Sequence, residues 1–269
     1  MKNLIVLSAA CLLTATYSCN KELENDKTID IPCLPKSISN HVLAFYPFSK
    51  GTLNDISGNN HHLMNTTTAK PTSDRNANDS CAYEFNNLPI SSEFLTTSAT
   101  NFLNGLNEFS ISLWYQPKGS LGIEEHFESL INRDLGGRCP DRNGQWSIVL
   151  YDCRKAVFGR TSSVWDKNIT NFDCQQEVDA RTNIWHHVVA TYNQNGVEMK
   201  IYRNGILQDF SSGIGACGSG IPSYQDIGDL FLGKDYTGKI DDVIIFNKTL
   251  TQTEVNLLFG LETCCEKVN

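Results

Sequence analysis

The sequence has no Cys-x-x-Cys pair, no block of Lys and Arg, and no long apolar run beyond residue 15. The missing cysteine pairs argue against a structural zinc site, whose ligands sit at such short spacings. The missing basic block, with a net charge of −8, argues against nucleic acid as a partner, because an acidic surface repels phosphate backbones. A membrane-spanning helix needs about 20 apolar residues, and no segment supplies them, so lipid is the only membrane attachment to expect. Gly-x-Ser-x-Gly, His-Glu-x-x-His and P-loop motifs are also missing, and with them the chemistry those spacings support. Charged residues make up 19% of the chain, and long Ala/Leu/Glu/Lys tracts are scarce. What is there instead is Gly, Asn, Ser and Thr between short apolar runs, a balance that favours strands and turns.

Residues 1–18 read as a targeting signal. Lys2 gives a positive start, and Leu4 to Ala15 is apolar but too short to span a bilayer. Cys19 follows the small residue Ser18 directly after this core, so it resembles the lipid-modified cysteine of a Bacteroidetes-type lipoprotein. The run Asn20-Lys21-Glu22-Leu23-Glu24-Asn25-Asp26 is similar to the acidic tag that sends such lipoproteins to the cell surface. Several acyl chains on one cysteine suffice for stable anchoring. The expected location is the outer membrane, facing outward. Residues 19–38 are polar and punctuated by Pro32 and Pro35, which predicts a tether. Residues 39–262 form the expected domain, and 263–269 a tail carrying Cys264 and Cys265.

Eight cysteines remain: Cys33, Cys81, Cys139, Cys153, Cys174, Cys217, Cys264 and Cys265. In an exported protein an even set predicts disulfides. Eight cysteines allow 105 connectivities. Cys139 and Cys153 flank an expected hairpin and are one candidate pair; Cys33 with Cys264 or Cys265 is another, on the expectation that the two ends of a sandwich lie side by side.

Alternating apolar and polar residues predict strands at 42–48, 109–116, 146–151, 185–192, 197–203, 230–232 and 239–246. One helix is expected near the end. Thr251 and Glu254 have capping-box spacing, Leu250 and Val255 form a staple, and Gly260 suits a stop. The helix is expected to cover one end of a β-sandwich.

Four stretches carry a family resemblance: Tyr46-Pro-Phe48 with Asn54-Asp55-Ile-Ser-Gly-Asn59; Phe109-Ser-Ile-Ser-Leu-Trp114-Tyr115; Trp185-His-His-Val-Val-Ala-Thr-Tyr192 with Lys200-Ile-Tyr-Arg-Asn-Gly205; and Gly238-Lys-Ile-Asp-Asp-Val-Ile-Ile-Phe-Asn247 with Leu250-Thr. In this order they resemble a laminin-G-like, concanavalin A-like domain over roughly residues 39–260. The resemblance implies an all-β, two-sheet antiparallel jelly-roll sandwich with one short C-terminal helix. Trp114 and Trp185 are then expected in the core.

The same resemblance implies one structural Ca2+, with Asp55 and Asp241 as carboxylate ligands and carbonyls near Asn59 and His62 completing a hard oxygen shell. Asp55 also suits a plain Asx-turn. Strand alternation sends Asp241 and Asp242 to opposite faces, and His186 and His187 likewise. Hydrolases of this fold carry Glu-x-Asp-x-x-Glu on one strand, which this chain lacks. The nearest acidic cluster, Glu124-Glu125-His126-Phe127-Glu128, reads as loop or short helix. Binding is therefore favoured over catalysis, with carbohydrate as the expected ligand. An adhesion module that binds neighbouring surface proteins is the alternative, and a glycoside hydrolase a further one. Trp165, in a segment without strand pattern, is the expected stacking residue, joined by Tyr151, Arg154 and Arg160.

Overall fold

The computed structural model describes residues 31–87, 92–118, 127–133, 139–140, 145–151, 154–167, 182–218 and 228–265. Two antiparallel sheets face each other. The larger has the order β12(Ile206–Ser211), β11(Glu198–Arg203), β10(His186–Asn193), β5(Glu108–Pro117), β14(Thr237–Phe246), β3(Ala82–Asn86) and β2(Lys70–Thr72). Along one edge of β14 the partner changes: β3 pairs with Thr237–Ile240, and β1(Val42–Tyr46) pairs with Val243–Phe246. The smaller sheet runs β4(Leu95–Thr97), β13(Leu230–Leu232), β6(Glu128–Asn132), β7(Ser147–Tyr151), β8(Lys155–Gly159) and β9(Ser163–Trp165). Among the described residues no helix is long and apolar enough to cross a membrane.

Alternation explains the layers. In β5, Phe109, Ile111, Leu113 and Tyr115 enter the core between the sheets, and in β7 Ile148 and Leu150 meet them from the other side. Core burial of this kind is worth about 25 cal/mol per Å2 of apolar surface. The β11–β12 hairpin turns on Asn204 and Gly205, both at positive φ (49° and 80°), the conformation a tight two-residue turn requires.

A second apolar cluster lies on the outer face of the larger sheet. Val189, Tyr202 and Ile244 from the sheet meet Ile31, Leu34 and Ile38 from the N-terminal side, and Val255 and Leu258 from α2(Gln252–Phe259). Residues 31–38 therefore belong to the folded body, including the single turn α1(Lys36–Ser39), rather than to a tether. Helix α2 starts with the expected capping box, Thr251 and Glu254 exchanging hydrogen bonds. It lies across a sheet face, not at the sandwich end, because its apolar side needs a broad partner. Gly260 ends it at φ −81°, without the left-handed stop.

Two disulfides tie the chain ends to the body. Cys33 bonds Cys264 and Cys81 bonds Cys265, with Cα separations of 5.4 and 5.6 Å. The first is one of the two pairings expected for Cys33. Cys139 bonds Cys217, not Cys153, at a Cα separation of 5.0 Å. The segment holding Cys217 also hydrogen-bonds Thr161 through its backbone N–H, which brings it to the β8–β9 turn. Cys153 and Cys174 lie outside the described residues, as does Cys19.

Candidate functional site

Strands β7, β8 and β9 form one edge of the smaller sheet. Their inward residues, Ile148, Leu150, Ala156, Phe158 and Val164, are core. The alternate positions, Val149, Tyr151, Val157 and Trp165, face outward. Trp165 is thus a strand residue at a sheet edge, not a loop residue; the strand is three residues long, too short to show a pattern in sequence. Its indole is held in place. The backbone N–H donates to Asp209 Oδ2 across the sandwich at 3.1 Å, and Nε1 donates to Ser163 Oγ at 3.1 Å. Tyr151 packs edge-on against it, ring centroids 5.9 Å apart at 66°, and Phe127 stacks on Tyr151 at 4.2 Å. Both Tyr151 and Trp165 are half-buried. Two positioned, half-buried aromatic rings can stack on an apolar surface of a ligand.

The structure brings Tyr151 and Trp165 together and removes the two arginines from the site. Arg154 is buried and donates through Nε to Glu128 Oε1 at 2.9 Å, an ion pair with both side chains fully buried. Arg160 is buried too, its guanidinium 4.1 Å from the centre of the Tyr192 ring and 5.2 Å from that of Phe109. Arg154 balances a buried carboxylate and Arg160 lies over buried rings, so neither side chain is exposed. Glu128 is likewise not in a loop. It opens β6, and its second oxygen accepts the Thr237 N–H at 3.2 Å.

The Asp55 loop is closed by its own donors. Asp55 Oδ1 accepts the N–H groups of Phe45 and Ser57, both at 2.9 Å. Oδ2 accepts Ser57 Oγ at 2.8 Å and the His61 N–H at 3.0 Å. His62 Nδ1 accepts the Asp55 N–H, and Asn59 Nδ2 donates to the Val42 and Leu43 carbonyls. Asp55, Asn59 and His62 thus share a loop stitched onto β1. Asp241 does not join them. Its Oδ2 accepts from Arg75 Nη1 at 2.7 Å, and so does Asp242 Oδ2. Among the described residues, three ligand-type side chains (His, Cys, Asp or Glu) converge within 4.8 Å only at Asp74, Cys81 and Cys265, and the two cysteines are joined in a disulfide.

Beside Arg75 lies a small pocket under α2, lined by Ser112, Trp114, His187, Asp242 and Leu258, with room for about one water (about 10 Å3). His187 Nε2 is 2.8 Å from Ser112 Oγ. Burial, and then the nearby Arg75 charge, push the His187 imidazole down to a pKa of about 3, so it is neutral at physiological pH. His186, on the opposite face, is buried as well. Trp114 is half-buried on this outer face, stacked against Phe259, and Trp185 is half-buried ahead of β10; the core tryptophan is Trp146.

The fold has solved counterparts. A botulinum neurotoxin serotype D binding domain superposes with a TM-score of 0.59 at 18% identity, covering 83% of this chain and 52% of that one. A binding domain of botulinum neurotoxin DC, solved in complex with rat synaptotagmin II, gives 0.60 at 20% identity, with 83% and 52% covered. A structure reported for the dependence of botulinum neurotoxin type C cell entry on two ganglioside molecules gives 0.59 at 20%, with the same coverage. The chain spans about half the length of these proteins, and at such identity the likeness is one of fold. No curated protein matches the sequence. The family model for the laminin G type 3 domain matches residues 91–256, more than half of the chain, and the protein belongs to that family, described as the concanavalin A-like lectin/glucanases superfamily.

Proposed function

We propose that this chain is a non-catalytic carbohydrate-binding domain carried on the cell surface by lipid on Cys19. The observation that carries the binding half is the Tyr151–Trp165 pair: two half-buried rings in contact, one pinned by Ser163 and Asp209, at the β9 end of the smaller sheet. The similar solved domains support the class, since one is described with gangliosides and another in complex with SialylT. A glycan array on the purified domain tests it. Binding that Trp165→Ala abolishes supports the proposal, and clean negatives across plant, host and microbial glycans would sink it. The anchoring half rests on the Ser18-Cys19 sequence and the acidic run after it. Cys19→Ala should move the protein from the membrane pellet to the soluble fraction; a protein that stays in the pellet refutes the lipid anchor.

Protein binding is the second reading. Ile206, Phe210 and Ile214 are exposed (61%, 65% and 70%) on or just after the edge strand β12, and a similar domain is seen with synaptotagmin. Exposed apolar side chains grouped on an edge mark interaction surfaces.

A further inference from the structure

Four of the apolar side chains that folding leaves at the surface lie on the outer side of the larger sheet: Leu207 (41% exposed), Phe210 (65%), Leu257 (42%) and Phe259 (39%). Register gives the direction of the first two. Leu207 pairs with Tyr202 and Phe210 with Lys200. Tyr202 belongs to the cluster under α2, and both partners alternate with the core residues Met199 and Ile201. Leu207 and Phe210 therefore point outward, on the side that α2 covers. Ile206 pairs with Arg203 and faces the other way. Helix α2 lies beside the β11–β12 turn, where Gln252 Nε2 donates to the Gly205 carbonyl at 2.6 Å. Its buried side is Val255 and Leu258, so Leu257 is turned to solvent, and Phe259 borders Gly205. Charges beside this surface are paired: Lys200 with Glu198 at 3.3 Å, and Lys248 with Glu254 at 2.7 Å.

The N-terminal chain joins the body on this same side. Ile31, Leu34 and Ile38 pack with Val255 and Leu258, and Cys33 is bonded to Cys264 just after α2. Only residues 20–30 separate Ile31 from Cys19. That length reaches at most about 40 Å when fully extended. A domain of this size is about 45 Å across, and half its circumference is about 70 Å. The arm is therefore too short to run round the body and bring the smaller sheet against a bilayer that holds Cys19.

We propose that Leu207, Phe210, Leu257 and Phe259 form a surface that lies on the lipid bilayer holding Cys19, so that the smaller sheet, with Tyr151 and Trp165, faces away from the membrane. This rests on the lipid reading of Cys19. An anchored body meets the bilayer at an effective concentration set by its arm, so a patch too small to bind membranes from solution suffices. Exposed Phe and Leu side chains gain by entering the boundary between headgroups and acyl chains. The two sheets pack about 10 Å apart, and the thickness of the sandwich keeps the stacking pair off the headgroups.

The test is tryptophan fluorescence of the full chain, expressed with its signal, purified in detergent and reconstituted in vesicles of phosphatidylethanolamine and phosphatidylglycerol, with and without brominated acyl chains. Three variants each add one tryptophan at a position that is not buried: Phe210→Trp, Leu257→Trp, and Lys155→Trp, which pairs with Tyr151 on the outer face of the smaller sheet. The added emission of Phe210→Trp and Leu257→Trp should fall at least about twofold in the brominated vesicles, since these side chains would sit at the acyl boundary. That of Lys155→Trp should not change. Quenching at all three positions overturns the proposal, because no one face then lies on the bilayer. Unquenched emission at 210 and 257, in protein that sediments with the vesicles, overturns the docking surface, leaves the lipid anchor standing and returns Phe210 to the protein-binding reading. Protein that does not sediment with the vesicles refutes the anchor itself.

Discussion

Asp241 and Asp242, neighbours in one strand, each hold an Oδ2 atom 2.7 Å from the same Nη1 of Arg75. A regular strand would send them to opposite faces. Here the β14–β5 register shifts between Asp241 and Ile244, and Asp242 takes φ 45°. This bulge sits where the partner of β14 changes from β3 to β1. The kink turns both carboxylates toward the segment after β2, and Arg75 fills the gap at the fork. Cys264 is tied to the same place, its N–H donating to Asp242 Oδ2 at 3.3 Å.

Replacing Arg75 by Met should therefore cost about 3–5 kcal/mol in chemical denaturation, because two buried aspartates lose their one cation. An unchanged midpoint would show that the pair holds enough protons to need no guanidinium.

The same pair gives a pH signature. Burial, and then the charge of Asp242, raise the Asp241 carboxyl well above its ordinary value, and burial raises Asp242 as well. In the window between the ordinary carboxylate value and the raised one, the folded protein keeps a proton that the unfolded chain has lost. Stability from this cluster is therefore present at low pH and falls as pH rises through that window. Asp241→Asn should flatten the decline of Tm with pH on that side; a wild-type slope in the variant would assign the decline to other groups.

His187 acts in the opposite direction. Its folded value of about 3 lies below the 6.5 of the unfolded chain, so its contribution is full above about pH 6.5 and is lost as pH falls toward 3. The full effect is on the order of a few kcal/mol. His187→Phe, which keeps a ring beside Trp114 and Phe259, should remove this acid-side loss in a pH series of denaturation curves.

Glu128→Gln should destabilise the domain through Arg154, by about 3–5 kcal/mol, since it neutralises one member of a fully buried ion pair. Hydrolytic activity that disappears in this variant while its melting point stays at the wild-type value would instead make Glu128 a catalytic acid.

Because Asp55 already accepts four hydrogen bonds from its own loop and β1, chelator should leave the melting temperature unchanged. A rise of several degrees on adding calcium would restore the loop as a cation site, built on carbonyls with Asp55.

The seven strands expected from sequence are all present, as is the capped helix; in the longer ones the alternation records which face meets the core. Seven strands were missed: β2, β4 and β9, with three residues each, show little of a period, while β3, β6, β8 and β12 have five or six. In strand β6 a register shift between Ser129 and Ile131 breaks the alternation, so Glu128-Ser129-Leu130-Ile131-Asn132 shows no period of two. For the same reason Glu128 reads as loop: its partner Arg154 lies 26 residues away, and nothing local announces a buried pair.

Trp165 was legible as a stacking candidate outside any strand pattern, and Tyr151, at the end of an expected strand, as its companion. Their contact, and the anchoring of Trp165 by Asp209 from the other sheet, depend on how two strand edges meet. Composition, alternation and motif order by themselves determined a two-sheet β domain with a capped terminal helix and several disulfides. Only the tertiary structure decided which cysteines pair, that Arg154 and Arg160 are buried, one on Glu128 and one over aromatic rings, and that Asp241 and Asp242 share one guanidinium. Local sequence carries the periodicity of burial, whereas charge pairing and aromatic contact are set by residues far apart in the chain that meet only when the sheets close.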